Sequence, residues 1–208
     1  MTDPGRRPSL EPLPGLTVWP GRLEEQAQAR LLALVRERIA SAPFYRPVTP
    51  GGREMSVRMT NFGPLGWVTD RAGGYRYQST HPATGRPWPD IPPILLELWR
   101  EHADPVRPPD ACLVNLYTAD ARMGLHQDRD EADLTAPVLS VSLGDAAVFR
   151  FAPAEGGRSS SIRLRSGDVL VMAGPARLCR HGIDRVLGGS SRLLAGGGRL
   201  NLTLRRAR

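Results

Sequence analysis

The stretch PVLSVSLGDAAVFRF (residues 137–151) predicts two β-strands joined by a tight turn at Gly144-Asp145. Both halves are short, apolar and rich in β-branched or aromatic residues, which is typical of strands in a sheet core. Further segments of this kind occur from residue 111 to the C-terminus: CLVNLYT, LHQD, SIRLR, DVLVMA, LCRHGI and RLNLTLR. Eight short strands at turn-like spacing predict a mostly β fold, a jelly roll or double-stranded β-helix.

The first 110 residues follow a different pattern. Residues 1–20 are rich in Pro and Gly without an apolar period, which predicts an extended, partly disordered arm. Apolar residues at helical spacing predict a helix over 22–40, and a second helix is expected to begin with Asp90 as its N-cap. Residues 48–89 alternate strand-like pieces with Gly and Pro, which indicates hairpins. The β core is therefore flanked by helices.

Composition limits the class of protein. The 208 residues carry a net charge of +7, and all 28 Lys+Arg residues are arginine. Arginine suits phosphate groups, although the codon bias of a high-GC bacterial genome also explains the absence of lysine. Cys112 and Cys179 are too few for a disulfide framework or a Cys-only zinc site. No apolar run approaches the roughly 18 residues of a membrane span, and no secretory signal is evident, so we expect a cytoplasmic monomer.

The sequence His126-Gln127-Asp128 is a candidate metal-binding pattern. On an extended backbone, residues two apart point to the same face, so the imidazole and the carboxylate would converge. His181 lies on a predicted strand that could face them and complete a two-histidine, one-carboxylate set, which suits non-haem iron and also zinc. The pattern alone equally fits a surface turn. The other two histidines, His81 and His102, are expected at the surface.

The C-terminal segment RLNLTLR (199–205) alternates strictly between polar and apolar residues. Its leucines must share one face, and Arg199, Asn201, Thr203 and Arg205 the other. If that polar face points inward, the buried guanidinium groups need an anion, and a dicarboxylate would meet this need. An edge strand with a solvated polar face is the alternative.

Together these motifs resemble the AlkB family of iron(II)- and 2-oxoglutarate-dependent dioxygenases. The resemblance rests on NLYTADARMGLHQDRDE (115–131), APVLSVSLG (136–144), the later His181 and RLNLTLR. It continues upstream through VTPGG, MSVRMTNFGPLGW, GYRY and GRPWP, and so covers about residues 48–206. It implies a catalytic jelly-roll core at 111–208, preceded by helical support and a nucleotide-recognition lid at 21–110.

The resemblance also implies roles for individual residues. The iron ligands would be His126, Asp128 and His181. The residues that bind 2-oxoglutarate would be Asn115, Tyr117, Ser140, Arg199, Asn201 and Arg205. The substrate-binding residues would be Met59 in the lid, Trp67 stacked on the base, Tyr75 and Tyr77 on the base or a phosphate, Arg129 on a phosphate, and Asp130 near the exocyclic nitrogen. The loop at 151–161 does not match the family's basic loop.

The function implied is oxidative demethylation of bases such as 1-methyladenine and 3-methylcytosine in single-stranded DNA, with RNA as a second polymer. The reaction would consume dioxygen and 2-oxoglutarate, release formaldehyde, succinate and carbon dioxide, and reverse alkylation damage directly. Three alternatives stay open: the same chemistry on methylated tRNA, a protein or a small molecule; a zinc hydrolase; and a basic, non-enzymatic nucleic-acid-binding module. Arg199 and Arg205 argue against the hydrolase, which needs no dicarboxylate.

Overall fold

The computed structural model describes residues 8–208. Two α-helices occur in this part of the chain, α1 (Glu25–Arg38) and α2 (Pro93–His102). The strands are β1 (Leu10–Leu13), β2 (Leu16–Trp19), β3 (Arg58–Phe62), β4 (Gly66–Asp70), β5 (Gly74–Gln78), β6 (Ala111–Tyr117), β7 (Met123–His126), β8 (Val138–Gly144), β9 (Ala146–Ala152), β10 (Ser160–Leu164), β11 (Val169–Met172), β12 (Arg180–Leu187) and β13 (Arg199–Arg205). Each segment that the sequence predicts as a strand from residue 111 onward corresponds to one of these strands.

Two antiparallel sheets form the body of the molecule. The major sheet has the order β1-β2-β11-β8-β13-β6-β3, and the minor sheet has the order β10-β9-β12-β7. Side chains from both sheets, including Val138 and Leu170 of the major sheet and Phe149 and Ile183 of the minor one, pack in one buried cluster. This layering confirms the predicted jelly-roll core. Strands β4 and β5 form a separate hairpin.

Both helices cover the outer face of the major sheet. Leu31 of α1 and Leu95 of α2 are fully buried in the same cluster as Leu200, Leu202 and Leu204 of β13. The prediction that Asp90 caps the second helix is wrong, because α2 begins at Pro93 after the extended Pro92. A residue that precedes proline is disfavoured in helical conformation, and the run of two prolines therefore delays the helix start. Within residues 8–208, neither helix has the length and apolarity needed to cross a membrane.

The N-terminal segment contributes to the core sheet. The predicted arm spans residues 1–20, of which 1–7 lie outside the described part of the chain. Strand β2 pairs with β11, and its Leu16 and Val18 are buried, so this part of the extended segment belongs to the core sheet. Two alternating apolar residues are too short a signal to stand out among the surrounding prolines. Strand β3 joins the same sheet by pairing with β6, so strands from before residue 111 complete the jelly roll.

Candidate metal centre and its adjoining clefts

Three side chains meet at one end of the space between the sheets. His126 ends β7, and His181 on β12 is its direct antiparallel partner, as the sequence suggested. Asp128 lies two residues beyond the end of β7. Each of the three residues offers a ligand atom within 4.8 Å of the others. Asp128 lies between the imidazoles, with Oδ1 3.6 Å from Nε2 of His126 and Oδ2 3.7 Å from Nε2 of His181.

Hydrogen bonds and burial leave all three groups ready to bind a cation. Nδ1 of His126 donates to the carbonyl of Gly124 (2.9 Å) and Nδ1 of His181 to the carbonyl of Cys179 (3.1 Å), so both Nε2 atoms keep a free lone pair. Burial lowers the pKa of His181 to about 4. Burial alone would raise the pKa of Asp128, but Arg205 and the two histidines outweigh it and lower that pKa to about 2.

The close approach of the two histidine strands depends on Gly182. A Cβ atom at this position would lie 2.4 Å from the carbonyl oxygen of Met123 and 2.7 Å from that of Gly124. Any side chain would therefore push β12 away from β7 and separate the two imidazoles.

The polar face of β13 points inward. β13 pairs with β6 on one side and β8 on the other, so it is a central strand, and the edge-strand alternative is wrong. Arg199 is 1% exposed and donates from Nη2 to the hydroxyl of Ser142 (2.9 Å), while its Nε and Nη1 have no partner. Asn115 Oδ1 and Asp128 Oδ2 are also buried without hydrogen bonds. Because buried polar groups are normally satisfied, these atoms indicate a missing polar ligand.

A cleft of about 290 Å³ opens beside the three metal-binding side chains. On its wall Trp67 stacks on Tyr75 with ring centroids 5.6 Å apart, and Trp67 Nε1 donates to Asp130 Oδ2 at 2.7 Å. The buried side chain of Asn61 fixes the backbone of Trp67: it accepts from the amide nitrogen (3.1 Å) and donates to the carbonyl (3.0 Å). Gly66 makes room for the ring of Trp88, since a Cβ would lie 2.5 Å from it.

Comparison with known proteins agrees with this geometry. The family model of the 2OG-Fe(II) oxygenase superfamily matches residues 15–205. An "Alpha-ketoglutarate-dependent dioxygenase AlkB homolog" of Caulobacter vibrioides is 58% identical over 204 residues, covering 96% of this chain and 90% of the relative. The "Alpha-ketoglutarate-dependent dioxygenase AlkB" of Escherichia coli K12 is 41% identical over 207 residues, covering 96% and 94%. The chain belongs to the AlkB family. The solved structure of OsALKBH1 superposes on this AlkB-family chain with a TM-score of 0.80 at 30% identity, covering 96% of this chain and all of the other.

An AlkB-family dioxygenase uses iron(II), 2-oxoglutarate and dioxygen, and the residues present fit these groups. Two imidazoles and one carboxylate form the facial set that iron(II) takes in such oxygenases. The unpartnered nitrogens of the buried Arg199 suit a carboxylate. The zinc hydrolase and the non-enzymatic module are therefore excluded.

The residues that we assign to 2-oxoglutarate lie together in this AlkB-family site. They line one narrow pocket beside His126 and His181: Asn115, Tyr117, Ser140, Arg199, Asn201 and Arg205. Asn201 donates to the hydroxyl of Ser140 at 2.6 Å, and the guanidinium of Arg199 lies 5.5 Å from the ring centroid of Tyr117. Their individual roles stay predictions.

The residues that we assign to the substrate divide into two groups. Met59, Trp67, Tyr75 and Asp130 line the 290 Å³ cleft. Met59, however, is a buried residue of β3 opposite Asn115, so it forms a wall of the cleft and no part of a lid. Tyr77 is not among the lining residues; its hydroxyl donates to Oε1 of Glu131 at 2.6 Å. Arg129 is exposed outside the cleft.

Sequence reasoning missed the ion network beneath the metal centre. Arg205 Nη2 lies 2.7 Å from Asp128 Oδ1, and its Nη1 donates to Glu131 Oε1 at 3.1 Å. Arg177, 3% exposed, donates to Glu131 Oε2 (3.0 Å) and to the carbonyl of Asp128 (2.9 Å). Together with Tyr77, these contacts connect strand β5 to the metal-binding carboxylate. The signal available was the charged run at 128–131, which has no periodicity.

The remaining histidines and cysteines are structural. His81 is 1% exposed, and its Nε2 donates to the carbonyl of Pro43 while Nδ1 accepts from the amides of Ala83 and Thr84, so the expected surface position is wrong. His102 is also largely covered, with 8% of its side chain exposed. Both cysteines are fully buried.

Proposed function

We propose that this chain oxidatively demethylates N-methylated bases, such as 1-methyladenine and 3-methylcytosine, in single-stranded DNA and, as a second polymer, RNA. The observation that carries the proposal is the cleft that joins the stacked Trp67 and Tyr75 to the metal-binding His126 and Asp128. An aromatic wall suits a planar base, and its position beside the metal ligands suits oxidation of a group on that base. Membership of the AlkB family supports the same substrate class.

The electrostatics of the cleft favour a cationic base. 1-Methyladenine and 3-methylcytosine carry a positive charge at neutral pH. A cationic ring gains from stacking on an indole, and Trp67 offers the best side chain for this contact. Asp130 is held beside the indole by the 2.7 Å hydrogen bond and places a carboxylate next to the bound ring. A neutral, undamaged base lacks both gains.

The position of the methyl group determines which polymer form fits. It lies on the Watson–Crick edge, which is inaccessible inside a duplex, so the base must be flipped out or the strand must be single. A damaged base pairs poorly and leaves the stack at a low cost. The half-exposed Tyr75 at the mouth of the cleft offers a contact for a neighbouring base or phosphate.

The residues around the metal centre would have distinct roles in this reaction. His126, Asp128 and His181 would hold iron(II), Arg199 would hold a carboxylate of 2-oxoglutarate, and Asn115 and Asn201 would orient it. When bound, the iron, 2-oxoglutarate and dioxygen supply the oxidation of the N-methyl carbon, which leaves as formaldehyde. The protein positions the methyl group beside the metal-binding groups.

The test is formaldehyde release from a single-stranded oligonucleotide that carries one 3-methylcytosine. Release that requires iron(II), 2-oxoglutarate and oxygen, and that is lost in His126→Ala, would support the proposal. Trp67→Ala should release less formaldehyde at limiting oligonucleotide but keep turnover of 2-oxoglutarate, because the metal ligands are intact. Wild-type protein that consumes 2-oxoglutarate but releases no formaldehyde from this DNA or the matching RNA would refute the base assignment. Methylated tRNA, peptides and small molecules would then be the substrates to examine.

A further inference from the structure

The outer face of the minor sheet carries a group of arginines that the catalytic site does not use. Phe149 and Phe151 of β9 and Ile183 of β12 point into the core between the sheets. Arg150 lies between Phe149 and Phe151, and Arg180 is next to His181, which pairs with Phe151. Because side chains alternate along a strand, both arginines point to the opposite, outer face.

Strand register brings two more arginines to this face. Val148 of β9 lies between Arg163 of β10 and Arg185 of β12, and cross-strand partners share a face. Arg150 pairs with Ser161 and Gly182, two residues along from that row. Diagonal neighbours of this kind lie about 7–8 Å apart. We call these four residues the arginine stripe: Arg150, Arg163, Arg180 and Arg185.

Little negative charge balances the stripe. Strands β9, β10 and β12 contain one carboxylate, Asp184, which lies 3.1 Å from Nε of Arg150. Within residues 8–208, no acidic group lies within 4.0 Å of the guanidinium groups of Arg163, Arg180 or Arg185. Like charges on adjacent strands destabilise a sheet, so binding of an anionic partner would reduce the repulsion between these arginines.

The stripe begins next to the substrate cleft. Arg180 directly precedes His181, whose partner across the strands is His126, and Gln127 on that side lines the cleft. One strand spacing, about 5 Å, therefore separates the cleft wall from the first arginine of the stripe. Arg150 follows on β9, then Arg163 and Arg185 farther along the sheet. A chain that leaves the cleft over β7 would meet these guanidinium groups in succession.

We propose that the arginine stripe binds the phosphate backbone of the single-stranded nucleic acid whose base occupies the cleft. The proposal rests on the proposed function, and adds a second contact surface outside the cleft. The loop at 151–161 lacks the family's basic pattern. On this proposal the outer face of the minor sheet binds the nucleic-acid backbone instead. Arginine binds phosphate with paired hydrogen bonds and stays charged at every working pH. The contact would be independent of base sequence.

The experiment compares two double variants of equal net charge. Arg163→Gln/Arg185→Gln removes two exposed members of the stripe, and Arg30→Gln/Arg36→Gln removes two exposed arginines of α1, the helix that packs on the major sheet. Binding of an undamaged single-stranded DNA of about 15 nucleotides is measured by fluorescence anisotropy over a range of salt concentrations. Each phosphate contact contributes about 0.7 to the slope of log K against log salt, so the stripe variant should lose about 1.4. At low salt its affinity should fall about tenfold or more. The α1 variant should match the wild type.

Length of the DNA separates this surface from the cleft. A methylated oligonucleotide of about 3 nucleotides is too short to reach Arg163 on β10 or Arg185, which lies five residues along β12 from Arg180. The stripe variant should therefore bind and demethylate it like the wild type. Equal losses in both double variants, or no loss in either, would overturn the proposal, because overall charge or other contacts would then explain binding. If demethylation fails in every form of the protein while the stripe variant still loses affinity, the surface stands and the proposed base chemistry fails.

Discussion

Replacing Glu131 with glutamine tests the ion network beneath the metal centre. The side chain of Glu131 is fully buried, and its two oxygens accept from Tyr77 and Arg205 on one side and from Arg177 on the other. Glutamine has the same shape but no charge, so two buried guanidinium groups would lose a counter-ion. Removing one partner of a buried ion pair costs about 3–5 kcal/mol. For a chain of this size, that corresponds to a fall in Tm of about 6–20 °C.

Two further variants show whether burial is the cause. Asp70→Asn breaks the exposed pair with Arg76 (2.7 Å), while the amide oxygen can still accept from the backbone of Ala72 and Gly73. Its Tm should match the wild type, because solvent screens an exposed pair. Tyr77→Phe removes one hydroxyl from the network but leaves the charge of Glu131 in place. Its Tm should fall by less than that of Glu131→Gln.

The measurement is thermal unfolding of the metal-free protein, repeated in urea to obtain the free energy of unfolding. A Tm for Glu131→Gln within about 2 °C of the wild type would refute the reasoning, since it would correspond to about 1 kcal/mol or less. An unchanged m value is needed as well, because a change would indicate an altered unfolded state. Near-equal losses in Glu131→Gln and Asp70→Asn would show that burial is not what makes this carboxylate important.

Four other outcomes are expected. Arg199→Gln should weaken 2-oxoglutarate binding about 10- to 100-fold in a calorimetric titration, because a charge-assisted contact contributes about 1.5–3 kcal/mol. Trp67→Ala should raise the KM for a methylated oligonucleotide and leave the Kd of 2-oxoglutarate unchanged, since the indole lines only the substrate cleft. Cys112 and Cys179 should not react with a thiol reagent at pH 8 until the protein is unfolded; burial raises both pKa values, that of Cys179 to about 11. The pKa of Asp128 is lowered from 3.8 to about 2, so its stabilising contribution is complete above pH 3.8 and is lost as pH falls toward 2; Asp128→Asn should lack this step in acid titrations of metal-free protein.

The part of the site that could be predicted from sequence is the part that lies on regular strands. Alternation along β13 placed Arg199 and Arg205 on one face but left open whether that face points inward. The structure settles this, because β13 is a central strand and its leucines are buried under the two helices on the opposite face. The pairing of His126 with His181 was suggested in the same way. Because side chains alternate with a period of two residues, the face of one residue fixes the face of every other residue in the strand.

The rest depends on contacts that have no period. Glu131, Arg177 and Tyr77 come from a loop, a turn and a hairpin that are far apart in the chain, and only the folded structure shows that their side chains meet. The N-terminal hairpin β1–β2 is stabilised by the pairing of β2 with β11. This tertiary contact could not be predicted from the proline-rich sequence of the segment. Local signals could also mislead: Asp90 is a good capping residue, but the prolines after it fix where α2 begins.

We propose that the two inward arginines of β13 have different tasks, which their common pattern in the sequence could not reveal. Arg199 is buried with two nitrogens unpartnered and no carboxylate within ion-pair distance in the described structure, so it is the anchor available to an anionic cosubstrate. Arg205 is already paired with Asp128 and Glu131, so in addition to its predicted contact with 2-oxoglutarate it would hold the metal-binding carboxylate in place. The two residues lie about 20 Å apart along the strand, one toward the cosubstrate pocket and one beneath the metal-binding groups. On this proposal one strand face aligns the cosubstrate with the metal centre, while the contacts of Glu131 and Tyr77 connect that centre to the hairpin that carries Trp67 and Tyr75.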